Sequence, residues 1–179
     1  MYRTIRSYGE FSERVYDQSV WICKETTSCN VETAFNESVT SLYEYYADCY
    51  EDEPKSRPFI SILSLPHFMS TECNKETTTC AYLPEEGRRR PLPTPQDDLS
   101  LVYIPSVENP WQAVYVATLQ GRPTVDNIQS SMTTLVQKII DANLIHSDKV
   151  FVARYTLPWE TGESRIELAV LMDNLNYNL

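Results

Sequence analysis

The sequence predicts an α+β fold: a distorted antiparallel β-barrel with two helices packed against it, built from a pseudo-twofold repeat of a strand-helix-strand-strand unit. Three observations lead there. Several segments alternate apolar residues with the period of a strand, two longer segments carry helical spacing, and the order of these elements occurs twice along the chain. With 179 residues, 42% of them hydrophobic and 22% charged, the chain can bury one substantial core. Residues 1–179 are therefore expected to form a single domain, with repeats at about 11–84 and 112–173.

The first strand is read from Phe11 to Ile22, where Val15, Ser19 and Trp21 oppose Tyr16, Val20 and Ile22. A helix follows, because Val31, Ala34, Phe35, Val39, Leu42 and Tyr46 recur at helical spacing behind an Asn30 suited to the N-terminal cap. The polar run Asp48 to Arg57, closed by Pro54 and Pro58, reads as a loop. Phe59 to Leu65 and Phe68 to Cys73 read as strands broken by Pro66, with Thr78 to Leu83 returning as the second arm of a hairpin. Between Pro84 and Pro95 the chain is too proline-rich for a sheet interior, so it is expected to cross the surface.

The second half repeats the order. Strands are read at Leu99 to Ile104 and Trp111 to Leu119, ahead of a helix whose Val125, Ile128, Met132, Leu135, Val136, Ile139 and Ile140 form the clearest apolar stripe of the chain. Two strands complete it, Val150 to Tyr155 and Arg165 to Met172. Neither unit can bury its helix and sheet faces alone, so two sheets closing toward each other under both helices are the natural solution. A groove between helix and sheet would remain.

The formal net charge of −10 repels phosphate backbones and argues against a nucleic-acid partner. No apolar run approaches the roughly 18 residues of a membrane span, and residues 1–20 lack the apolar core of a leader. Of the five cysteines, Cys73 and Cys80 flank an expected hairpin tip and are paired on that reading. Cys23 and Cys29 bracket a short polar segment and are expected to pair likewise, leaving Cys49 odd. That pattern fits a secreted protein; five reduced thiols in a cytosolic one is the other reading.

The motifs resemble the SOUL haem-binding family over about residues 2–173. Tyr155, Pro158, Trp159, Arg165 and Glu167 match its C-terminal pattern of Tyr, two residues, Pro, aromatic, then a basic residue and Asn-Glu-Val, with Ile166 in place of Asn. Phe11, Arg14 and Tyr16 resemble its opening strand, and Ala81-Tyr82-Leu83-Pro84 its mid-chain motif. Leu63-Ser64-Leu65-Pro66-His67 is similar to the family's Met-Thr-x-Pro-Val but has lost both Met and Thr.

The resemblance implies a distorted barrel that binds haem or a related porphyrin or bilin without transforming it. The ligand would lie against the first helix near the last strand, at Asn36, Val39 and Tyr43 facing Met172, with Asn36 where a basic residue could have met a propionate. A tetrapyrrole needs an apolar slot, donors for its carboxylates and, if it carries iron, optionally an axial ligand. His67 and His146 lie off the expected helix face and are read as structural, and Tyr43 as packing with a wet hydroxyl.

Arg88-Arg89-Arg90 is read as a solvated linker, Trp111 and Trp159 as core aromatics, and Glu167, among Glu160 and Glu163, as the centre of a hydrogen-bond network. No Gly-x-Ser-x-Gly elbow or phosphate-cradling loop is present, and there are only 4 glycines, which lowers the odds of catalysis. The rival classes are an interaction module whose pocket has degenerated and an enzyme acting on a small hydrophobic substrate.

Overall fold

The structure, a computed structural model, describes residues 2–51, 58–104, 113–161 and 164–173. Nine strands and three helices follow in the order β1 (Tyr2–Ser7), β2 (Ser12–Tyr16), β3 (Ser19–Ser28), α1 (Val31–Asp48), β4 (Phe59–Ser64), α2 (Leu65–Met69), β5 (Lys75–Leu83), β6 (Leu99–Ile104), β7 (Ala113–Thr118), α3 (Val125–Asp141), β8 (His146–Arg154) and β9 (Ile166–Met172). All strands join one antiparallel sheet in the order β1-β2-β7-β9-β8-β4-β5-β3-β6.

That order mirrors itself about the β4–β8 pair. Reading outward, β4, β5, β3, β6 correspond to β8, β9, β7, β2, and each half runs strand, helix, strand, strand in the chain. The expected twofold echo is therefore present, with β4 and β8 as its seam (Phe59 opposite Arg154, Ser64 opposite Lys149).

The connection between β2 and β3 dictates the shape. Only Asp17 and Gln18 separate these strands, which stand six positions apart in the sheet. Six strand spacings laid flat would cover about 29 Å, whereas three residue steps reach about 10 Å. The sheet must curl until its two flanks almost meet. It does not close, since β1 and β6 remain unpaired edges among the described residues, so the expected barrel is an open one.

Strand alternation then sorts the side chains. On β9, Ile166, Leu168, Val170 and Met172 point to the helix side, and Ala169 and Leu171 to the concave side. The helix side carries two cores: Ile128, Met132, Leu135 and Ile139 of α3 pack on β7, β8 and β9, and Phe35, Val39, Leu42 and Tyr46 of α1 pack on Ile22, Phe59, Ala81 and Leu83. The concave side holds a third, with Trp21, Ile62, Val114, Val116 and Phe151.

Both long helices begin as the caps dictate. Asn30 accepts from the Thr33 N–H at 2.9 Å and Thr124 from the Asn127 N–H at 3.2 Å, each from an extended backbone. Thr124→Ala is expected to cost about 1 kcal/mol and lower the midpoint of thermal unfolding by roughly 2–4 °C; an unchanged midpoint would remove the hydroxyl from the helix start.

Several sequence readings change. The strand expected over Phe11 to Ile22 is two strands that turn at Asp17. The segment read as a strand from Phe68 to Cys73 begins inside α2, where Ser64 accepts from the His67 N–H and Pro66 occupies the first turn, a position that wastes no hydrogen bond. No hairpin therefore joins Cys73 to Cys80, since β5 runs straight from Lys75 through Cys80. The four cysteines form two bridges with exchanged partners, Cys23–Cys80 and Cys29–Cys73.

The reason is register. Cys23 stands opposite Cys80 in the β3–β5 ladder, and Ser28 opposite Lys75 carries Cys29 toward Cys73. Seven residues along an extended strand would hold Cys73 and Cys80 about 23 Å apart, and six would hold Cys23 and Cys29 about 20 Å apart. Cys49, the odd cysteine, is buried and free, and burial pushes its thiol pKa up. No helix among the described residues is long and apolar enough to cross a membrane.

Candidate ligand-binding site

Beside the first half of α1 lies a hollow of about 220 Å³ where the helix meets the chain that leaves β8. Glu32, Phe35 and Asn36 form its helix wall, and Arg154, Thr156 and Leu157 face them. These residues meet because Arg154, the last residue of β8, reaches Glu32 and Phe35 of α1, and the chain beyond it bends at Tyr155 and Thr156 to line the same hollow.

Arg154 dominates the electrostatics. It is 4% exposed, ion-paired with Glu32, and its guanidinium lies 4.4 Å from the centre of the Phe35 ring. Nη1 also donates to Ser61 Oγ at 3.4 Å and Val152 O at 3.5 Å. Burial pulls the Arg154 pKa down and Glu32 offsets only part of this; a guanidinium nevertheless stays a cation at neutral pH. Its Nε is buried without an acceptor among the described residues.

Pro158 and Glu160, which line the hollow, flank an exposed aromatic residue in sequence. Trp159 is 51% exposed and holds its ring edge-on to Tyr43, 5.2 Å between centres. Tyr43 lies seven residues beyond Asn36, two helical turns along the same face. The expectation that Trp159 is a core aromatic is thereby corrected: Pro158 and Trp159 form a turn that carries the ring outward, and Glu160 Oε2 accepts the Leu157 N–H at 2.7 Å to hold that turn.

Of the four residues expected to share a ligand face, the structure brings two together. Asn36 is exposed and lines the hollow, and Tyr43 supports Trp159 next to it. Val39 points inward, 2% exposed in the core under α1. Met172 is 8% exposed in the other core, under α3. Arg154 was not anticipated; its signal was a charged residue closing the otherwise apolar run from Val150.

His67 is exposed on α2, and His146 is half-buried with Nδ1 2.7 Å from Ser147 O. Neither lines the hollow, and no Cys or Met lines it either. Among the described residues, no cluster of His, Cys, Asp or Glu could hold a metal ion. The hollow therefore holds one buried cation, Arg154, paired with Glu32, and no His, Cys or Met among its lining residues. Arg88 donates to Leu83 O at 3.1 Å while Arg90 pairs with Glu85 in solvent. Trp111 and Glu163 lie outside the described residues.

The SOUL heme-binding protein family model matches residues 1–171. Among solved structures, a hydrolase encoded by lin2189 from Listeria innocua is similar at 8% identity and TM-score 0.64, covering 93% of this chain and 94% of its own. The EcmrR C-terminal domain is similar at 10% identity and TM-score 0.64, covering 97% and 98%. An uncharacterized conserved protein from Listeria innocua follows at 9% identity and TM-score 0.64, covering 92% of each chain. At such identities these likenesses speak for the fold. No curated protein matches the chain.

Proposed function

Because the chain belongs to the SOUL heme-binding protein family, we propose that it binds a tetrapyrrole without covalent attachment and without turnover, residues 1–179 acting as one binding domain. The ligand lies across the outer edge of α1, its macrocycle against Trp159 and Tyr43 and one carboxylate directed into the hollow toward Arg154 and Asn36. The observation that carries this reading is the buried guanidinium with an orphaned Nε beside an exposed aromatic ring.

A hollow of about 220 Å³ is smaller than the several hundred cubic ångströms that enclose a ligand of this size. The macrocycle is therefore half-covered, which suits carriage better than storage. With no His, Cys or Met lining the hollow, haem and a metal-free porphyrin or bilin are held by the same contacts. The acidic chain disfavours a nucleic-acid partner, and two bridges favour an oxidising compartment.

The test uses exposed positions whose replacement spares the core. Trp159→Ala is expected to weaken protoporphyrin IX binding about three- to tenfold through the lost ring contact. Asn36→Asp should weaken it about tenfold by setting a carboxylate against a carboxylate, and Asn36→Lys should strengthen it by a similar factor. Fluorescence titration reads both; affinities indifferent to all three changes would place the ligand elsewhere.

A further inference from the structure

On the opposite side of the sheet from α1, we propose a second binding site, for a small flat aromatic anion. The concave face carries a cleft of about 90 Å³ whose walls are Tyr16, Trp21, Ile60, Phe151, Tyr155 and Ala169. Its two flanks are the ends of β2 and β3, brought together by the two-residue turn at Asp17 and Gln18. Ser19, also in the lining, accepts from Trp21 Nε1 at 2.8 Å, and most of the remaining wall is apolar or aromatic. An aromatic ring slid edgewise between Trp21 and Phe151 would meet apolar surface on both faces. Such a space is too narrow for a tetrapyrrole.

Beyond Tyr155, which lines the cleft, lies a charged cluster joined to it through the Tyr155 hydroxyl and ring, and the sign of that cluster selects the ligand. Glu167, 2% exposed, receives Arg165 Nη2 on Oε1 at 2.7 Å, and Arg14 Nη1 at 3.1 Å and the Tyr155 hydroxyl at 2.8 Å on Oε2. Its carboxylate is already satisfied and has nothing left for a cationic ligand. Two guanidinium groups face this one carboxylate, so the cluster is positive by one charge in a protein of net charge −10.

Arg165 is the group that can reach a ligand. Its side chain is 55% exposed, its guanidinium lies 4.6 Å from the centre of the Tyr155 ring that lines the cleft, and among the described residues its remaining nitrogens meet no acceptor. Arg14 is held more firmly, by Ser12, Glu167 and the Tyr2 ring 4.4 Å away. A carboxylate at the mouth of the cleft would take Arg165's free N–H groups as a charge-assisted pair while its ring filled the apolar space.

This site is independent of the one at α1. Arg154 and Tyr155 are consecutive, and alternation sends the first to the helix side and the second to the concave side.

Calorimetry on the full chain tests the idea with 2-naphthoate and its neutral analogue 2-naphthalenemethanol. Naphthoate is expected to bind roughly tenfold more tightly than the alcohol. Arg165→Gln, at a half-exposed position, should erase that preference by weakening naphthoate alone, and Ala153→Trp should block both compounds by filling the cleft that Ala153 lines. Trp159→Ala should change neither. The proposal is overturned if naphthoate does not bind, if both compounds bind alike, if Arg165→Gln leaves the preference intact, or if Trp159→Ala weakens naphthoate.

Discussion

Opening both disulfides is expected to lower the unfolding free energy by about 7 kcal/mol and the melting midpoint by roughly 15–25 °C. Cys23–Cys80 spans 57 residues of sequence and Cys29–Cys73 spans 44, and they are nested along the same β3–β5 ladder. With one bridge intact, the other closes a ring of only about 15 residues, worth about 3 kcal/mol; the last bridge to open releases a much longer loop, worth about 4 kcal/mol. Cys23→Ser with Cys80→Ser should therefore cost about 3 kcal/mol, and reduction of the protein about twice that. Thermal unfolding with and without a phosphine reductant measures both.

The pairing itself has a separate readout. Lys24 lies between Cys23 and Cys29, and Lys75 between Cys73 and Cys80. Tryptic cleavage under non-reducing conditions should thus yield peptides joined as Cys23–Cys80 and Cys29–Cys73. Fragments joined within residues 23–29 or 73–80 would contradict the register of the ladder.

Replacing Glu167 by Gln is expected to destabilise the protein by about 3–5 kcal/mol near neutral pH, because it leaves the half-buried Arg14 facing a neutral amide. Burial alone would push the Glu167 carboxyl up, but hydrogen bonds from Arg165 and Tyr155 and the charge of Arg14 outweigh it and hold the group below the ordinary carboxylate value. A carboxyl depressed in the folded state stabilises fully above its unfolded pKa of about 4.3. That contribution is lost as the pH falls through the lower folded value. The gap between wild type and Glu167→Gln should then be widest at neutral pH and shrink in acid. Urea unfolding at several pH values tests this; a gap that does not vary with pH would mean that the charge of Glu167 is not what the network holds.

The two long helices were legible because each carries one apolar stripe behind a capping residue: Ile128, Met132, Leu135 and Ile139 follow Thr124, and Phe35, Val39 and Leu42 follow Asn30. The duplicated order was legible for the same reason, since periodicity survives in each half separately. What periodicity does not encode is which strands pair. The hairpin expected at Cys73 failed because Pro66 and Ser64 start a helical turn, and the cysteine partners failed with it, since they depend on the β3–β5 register and not on distance along the chain.

The site was half legible. Asn36 and Tyr43 share a helix face that spacing reveals, but Val39, three residues from Asn36, faces the core. Helical spacing gives neighbours on a cylinder and leaves open which side of it meets the sheet. Met172 belongs to β9, which pairs only with β7 and β8 of the second half, so it lies under α3, and alternation alone does not say under which helix a strand lies. Arg154 closes an apolar strand, a position whose value depends on Glu32 reaching it from α1, 122 residues away in sequence. Glu167 was expected to anchor a network, and the spacing to Tyr155 and Arg165 made that part readable.

The most direct measurement is a paired titration of the same protein with hemin and with metal-free protoporphyrin IX. If the contacts run through Arg154, Asn36, Tyr43 and Trp159, the two should bind within a few-fold of each other, and the hemin spectrum should show no protein-derived axial nitrogen or sulfur. Tight binding of hemin with none of the free porphyrin, or a six-coordinate low-spin spectrum from two protein ligands, would contradict the claim that this chain grips the macrocycle and not the metal.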